Sequence, residues 1–166
     1  MGGPGRGRWP ANYTRRRIAE CCTDLSITEM TRTGALVHQI ETSGMLVRTD
    51  RETQQVHLTI EFKVIWHSAD VAWLRLAYEL PHTTETVRYW IQVACTRPSS
   101  RGTHLWFVCP LVGSAGPCGR HAGKLYLPPR YKYFGCRLCY KLSYASVHDY
   151  EERAGVRRLG RSRGKT

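Results

Sequence analysis

Between residues 56 and 95 apolar and polar positions alternate with a period of two. Val56, Leu58, Ile60, Phe62, Val64 and Trp66 fall on one side, and His57, Thr59, Glu61, Lys63, Ile65 and His67 on the other. That is the pattern of a half-buried strand. His67 to Asp70 supplies a turn, and 71–80 predicts a second strand with Ala72, Leu74, Leu76 and Tyr78 on one face. Pro81 to Glu85 breaks it, and Val87, Tyr89, Ile91, Val93 and Cys95 mark the inner face of a third. Links this short allow hairpins but no crossover helix, so a parallel α/β sheet is excluded and an antiparallel meander expected. Residues 36–48 add a weaker strand.

Upstream the signals change. Ser26 is placed to cap a short helix, with Glu29 three residues later completing a capping box and Gly34 ending it. Leu25, Ile27 and Met30 supply its apolar stripe. Residues 18–96 are thus expected to form one helix against an antiparallel sheet of three or four strands. Arg97-Pro98-Ser99-Ser100-Arg101-Gly102 is polar and rich in turn formers, which marks 97–103 as a linker. Residues 104–146 then form a second module, and 147–166 a basic helix and tail. The fold class expected is α+β, mostly antiparallel β: a small helix-plus-meander domain, a four-cysteine zinc ribbon and a C-terminal basic helix.

Composition is that of a folded chain: of 166 residues, 42% are apolar and 23% charged. No apolar run approaches the ~20 residues a spanning helix needs, and no apolar stretch follows Met1-Gly2-Gly3-Pro4 as a signal peptide would require. A cytoplasmic protein without a membrane partner is expected. The net charge of +12 is unevenly placed. Residues 97–166 hold 14 Lys and Arg against 3 acids, whereas 18–96 hold 6 against 10. Residues 1–17 are a Gly/Arg-rich arm with five Arg and no acid. A basic end and a basic arm around an acidic middle point to a polyanion, and nucleic acid is the expected partner.

Seven cysteines with no secretion signal argue against a disulfide framework. Four of them, Cys109, Cys118, Cys136 and Cys139, stand in two groups. Cys136 and Cys139 make a tight knuckle; Cys109 and Cys118 make a widened one, with eight residues between them. A 17-residue hairpin joins the two. Four thiolates in two knuckles suit one tetrahedral, structural Zn2+ with no open position. An iron–sulfur cluster takes the same ligands, and His121, three residues after Cys118, is an alternative donor. Cys21, Cys22 and Cys95 read as core residues rather than ligands. A segment of this size buries too little to fold alone, so the metal must supply on the order of 10 kcal/mol.

Several stretches carry a family resemblance: Trp106-Phe107-Val108-Cys109-Pro110, Cys118-Gly119-Arg120, Lys124 to Pro129, Phe134 to Cys139 and Leu142 to Ser146. Over 105–146 the chain resembles a group of uncharacterised bacterial zinc-ribbon proteins associated with mobile elements and phage-related genes. Its opening, Gly7-Arg8-Trp9 and Cys21-Cys22, is similar to theirs as well. His121 and Ala122 depart from that group's usual basic and aliphatic residues, and the first knuckle is longer than its commonest form. The resemblance implies zinc and a nucleic-acid setting, and no activity.

Basic and aromatic side chains interleave around the knuckles: Arg101, Arg120, Lys124, Arg130, Tyr131, Lys132, Arg137 and Lys141. Cations bind phosphates and tyrosines stack on unpaired bases. Trp106, Tyr126 and Phe134 are expected in the core instead. The tail adds Arg157, Arg158, Arg161 and Arg163, and the arm adds Arg6, Arg8, Arg15, Arg16 and Arg17. Arg137, Lys141, Arg157 and Arg158 are the leading phosphate contacts. No Gly-x-Ser-x-Gly elbow, metalloprotease His pair or acid cluster is present. The expected function is non-catalytic: a zinc-ribbon protein binding DNA or RNA, as an accessory or regulatory subunit of a larger nucleoprotein complex. The 18–96 domain would dock a protein partner or a second copy. The alternative is a module docking an acidic protein; a zinc-containing nuclease stands third.

Overall fold

The computed structural model describes residues 19–49, 55–81, 83–97 and 102–144. A 3-10 turn, Ala19–Cys21, leads into β1 (Thr23–Ser26) and α1 (Ile27–Arg32). Four long strands follow: β2 (Thr42–Thr49), β3 (Val56–Trp66), β4 (Val71–Glu79) and β5 (Thr86–Thr96). Then come β6 (His104–Val108), two-residue strands β7 (Val112–Gly113), β8 (Gly116–Pro117) and β9 (His121–Ala122), and β10 (Lys124–Leu127).

The architecture is mostly antiparallel β with little helix. Six strands form one sheet in the order β2-β3-β4-β5-β6-β9, while β1 pairs with β10 and β7 with β8. The period-two alternation sets the sheet's faces. Leu58, Ile60, Phe62 and Val64 of β3, Ala72, Leu74, Leu76 and Tyr78 of β4, and Val87, Ile91, Val93 and Cys95 of β5 are all buried. Register keeps them in layers: Val64 lies opposite Leu74, and Leu74 opposite Ile91.

The short helix forms where its caps lie. The Ser26 hydroxyl accepts from the Glu29 amide at 3.5 Å, and Gly34 takes the left-handed conformation (φ 75°) that closes the C-terminus. The Glu29 carboxylate, expected to complete the box, instead meets Arg48 of β2 at 2.6 Å. Leu25 and Met30 are fully buried and press this segment onto the sheet.

Two expectations need correction. A helix-plus-meander unit with a ribbon beyond it is not what the sheet shows. β6 pairs with β5 and β9 with β6, so the sheet continues past the 97–103 segment. One hydrophobic core runs from Leu25 and Met30 through the sheet to Phe107, Leu125, Phe134, Cys109 and Cys136. The physical reason is mutual. β5 would otherwise end the sheet with unpaired backbone groups, and the cysteine segment is too short to bury a core alone. The 17-residue hairpin is also reduced to one bridge, Tyr126 to Gly135, because β10 pairs along its length with β1. The helix expected in 147–166 lies outside the described residues. No helix among the described residues is long and apolar enough to cross a membrane.

Candidate metal centre and nucleic-acid interface

Each cysteine pair is presented by a closed backbone turn. β6 ends at Val108 and delivers Cys109, whose amide donates to the Arg120 carbonyl at 2.9 Å. The Gly119 amide donates back to the Cys109 carbonyl at 3.3 Å, and the Cys118 amide to the Leu111 carbonyl at 2.8 Å. The β7–β8 hairpin takes up the extra length between the cysteines, and Gly119 adopts φ 60°, which a side chain would resist. In the second turn the Tyr140 amide donates to the Cys136 carbonyl at 3.3 Å and the Leu142 amide to the Arg137 carbonyl at 2.9 Å.

The two turns face each other. All four Sγ atoms lie within 4.8 Å of one another. The cross-turn separations are 3.9 Å for Cys109 and Cys139 and 3.8 Å for Cys118 and Cys136. Four thiolates bound tetrahedrally at about 2.3 Å have edges of about 3.8 Å, so the donor set fits a metal ion. Disulfides are ruled out at these separations. The Cys136 amide donates to Cys109 Sγ at 3.2 Å, and Arg120 Nη1 lies 3.8 Å from Cys118 Sγ. Both favour the charged form of sulfur. Burial pushes the Cys109 thiol up to about 11 and the Cys139 thiol above its usual range. At Cys118 desolvation also opposes ionisation, but the Arg120 amide and neighbouring thiols outweigh it and bring the group down to about 7.

Packing on the sheet holds the second turn in place. Phe134 is fully buried, with its ring edge-on to Tyr78 at 5.7 Å. The Tyr78 hydroxyl donates to the Lys132 carbonyl at 2.5 Å, and the Tyr140 hydroxyl to the Tyr133 carbonyl. Tyr89 accepts the Phe134 amide at 2.8 Å. Gly135 bridges Tyr126 through two backbone hydrogen bonds of 2.8 and 2.9 Å, where a Cβ would run into Leu111 and Tyr140.

The expected cations divide into groups. Arg120 and Lys124, which flank β9, and Arg137 of the second cysteine turn line one hollow of about 410 Å³ beside Cys136. Lys124, Arg130, Tyr131 and Lys132 line an adjoining hollow of about 1040 Å³. Lys124 is paired with Asp24 at 3.1 Å and Lys132 with Glu85 at 2.7 Å. Lys141 is exposed and lines neither hollow. Arg101, Arg157, Arg158, Arg161, Arg163, Arg6, Arg8, Arg15, Arg16 and Arg17 lie outside the described residues.

His121 is on β9 and outside the four-sulfur cluster. Phe134 and Tyr126 are buried as expected, whereas Trp106 is only half-buried and donates to Thr96 Oγ1 at 2.9 Å. Cys95 is core, but Cys21 is exposed and Cys22 half-buried. Cys22 nonetheless packs against a small buried cluster of Ala19, Tyr126 and Leu142, whereas Cys21 lines the larger hollow.

Ser26, Thr28 and Tyr144 also line the smaller hollow and were not legible as site residues. Ser26 and Thr28 lie roughly a hundred residues from their neighbours there, and no local pattern records that approach. Trp73 and Trp90 carry no site signal in the sequence for another reason. They occupy polar-side positions of the alternation and stand 40% and 44% exposed on the sheet's outer face.

The chain matches no family model, no curated protein and no solved structure. The resemblance over 105–146 therefore rests on its motifs alone.

Proposed function

We propose that the protein binds nucleic acid, with the four cysteines holding one structural Zn2+. The observation that carries this reading is the convergence of Arg120, Lys124 and Arg137 on one hollow beside the cysteine cluster. Zinc is the metal that four closed thiolates with no vacant position suit best. Such a site carries a charge of −2, part of which Arg120 offsets from 3.8 Å. Arg137 is left for phosphate, Lys124 would exchange its Asp24 partner at 3.1 Å for one, and the net charge of +12 supplies the long-range attraction. The protein is a binding subunit without catalysis of its own, of cytoplasmic location, working within a larger nucleoprotein assembly. The resemblance to zinc-ribbon proteins of mobile elements agrees with that setting.

The test is binding of the zinc-loaded protein to labelled oligonucleotides across a salt series. Replacing Arg120, Lys124 and Arg137 by alanine should lower affinity and flatten the salt dependence by about one unit of slope per cation. Unchanged affinity and slope, with zinc content intact, would refute the assignment.

A second reading is docking of a protein on the sheet's outer face. Trp73 and Trp90 favour it: they sit on adjacent strands, with Arg75 opposite Trp90. Aromatic residues beside Arg are typical of interface cores. Competition by short DNA or RNA separates the two readings.

A further inference from the structure

The two hollows adjoin along one surface furrow. Lys124, Tyr126 and Tyr144 line both, with the smaller hollow beside the cysteine cluster. Basic side chains recur along it, Arg120, Arg137 and Lys124 in the smaller hollow and Lys124 and Arg130 in the larger, where Glu20 and Asp24 also line the wall and Asp24 pairs with Lys124. Arg48 also lines the larger hollow, but its charge is balanced by Glu29 at 2.6 Å.

Two tyrosine rings accompany the charges. Tyr131 and Tyr144 are each 40% exposed. Tyr131 meets Tyr140 edge-on, with ring centroids 4.9 Å apart. The Arg137 guanidinium lies over the Tyr144 ring, 5.2 Å from its centre, so it covers one face of that ring and a base would stack on the other. A duplex offers these rings no free base face, because its bases are stacked on one another and only their edges are open in the grooves. An unpaired strand offers both phosphates and free base faces.

From this we infer that the furrow is a track for single-stranded nucleic acid, with phosphates along Arg120, Arg137, Lys124 and Arg130 and bases stacked on Tyr144 and Tyr131. The inference rests on the nucleic-acid reading above and narrows it to one form of the ligand.

The test compares oligo(dT), oligo(U) and a duplex of equal length, by fluorescence anisotropy on the full-length, zinc-loaded protein. The variants are Tyr131→Ala, Tyr144→Ala and the matching Tyr→Phe pair. The expected result is tighter binding of single strands than of duplex. Each Ala variant should weaken single-strand binding by about tenfold, leave duplex binding unchanged, and be rescued by Phe. Zinc content confirms that each variant is folded, and the Phe pair keeps the stacking question open to decision if an Ala variant is not. The oligo(dT) and oligo(U) arms distinguish DNA from RNA, and preference for either supports the track. Equal affinity for duplex and single strand, or equal loss of both in the Ala variants, would overturn the track while leaving nucleic-acid binding in place. No binding of any oligonucleotide would overturn both.

Discussion

The hydroxyl of Tyr89, on β5, accepts a hydrogen bond from the amide of Phe134 at 2.8 Å, two residues before the first cysteine of the second turn. The sheet thereby sets where Cys136 and Cys139 stand relative to Cys109, which arrives on the neighbouring strand. Removing this acceptor strands a part-buried amide. Tyr89→Phe should cost about 1–3 kcal/mol in denaturant unfolding of the metal-loaded protein. It should also weaken metal affinity, measured by competition with a chromophoric chelator.

Because Cys109, Cys136 and Phe134 belong to the same core as β3, β4 and β5, the metal should stabilise the whole unit. Chelation, or Cys136→Ser, should lower the melting temperature of the sheet as well as that of the cysteine turns, in one cooperative transition. Near-ultraviolet circular dichroism reads the tyrosine cluster, and far-ultraviolet the sheet. A sheet that melts unchanged after metal removal would show that the two are energetically independent.

Metal binding should release protons. Burial keeps the thiols of Cys109, at about 11, and of Cys139 protonated at neutral pH, while Cys118 at about 7 is half ionised there. A metal must displace the protons, so affinity should rise with pH and fall on acidification. Calorimetric titration at one pH in two buffers of different ionisation enthalpy counts the protons released.

Gly135 allows two backbone strands and two side chains to meet. A Cβ there would come within 2.7 Å of Leu111 Cγ and 2.9 Å of Tyr140 Cε2. Gly135→Ala should destabilise the protein by about 1–3 kcal/mol through overpacking. Leu111→Ala in the same chain should recover part of that loss, since the two positions share the contact. Thermal unfolding of the single and double variants measures the coupling.

Alkaline stability should depend on the tyrosines. Tyr89 is pushed up to about 12, first by burial, against the pull of its hydrogen bonds from Tyr78 and Phe134. Its unfolded value is near 10. The folded chain therefore retains a proton that the unfolded chain loses, and stability falls as pH rises from about 10 through 12. Tyr89→Phe should show a shallower decline over that window, checked by denaturant unfolding at each pH.

Local information carried much of the outcome. The alternation over 56–95 determined three strands, their buried faces and their antiparallel order, because a half-buried strand must place every second side chain in the core. Ser26 and Gly34 determined where the helix starts and stops, because capping is settled within a few residues. The cysteine spacings determined which four thiols gather into one cluster, since each pair needs only a tight turn. Contacts between distant segments left no such trace. That β6 and β9 extend the sheet, and that β1 pairs with β10, was decided in three dimensions by open edges and a cysteine segment too small for a core of its own. Glu29 meets Arg48 because the fold brings the first turn of the helix to β2, a proximity that no spacing encodes. Arg120, Lys124 and Arg137 were each visible as basic residues. Their meeting in one furrow with Tyr144 and Thr28 depended on that packing, because side chains far apart along the chain converge only once the fold has closed.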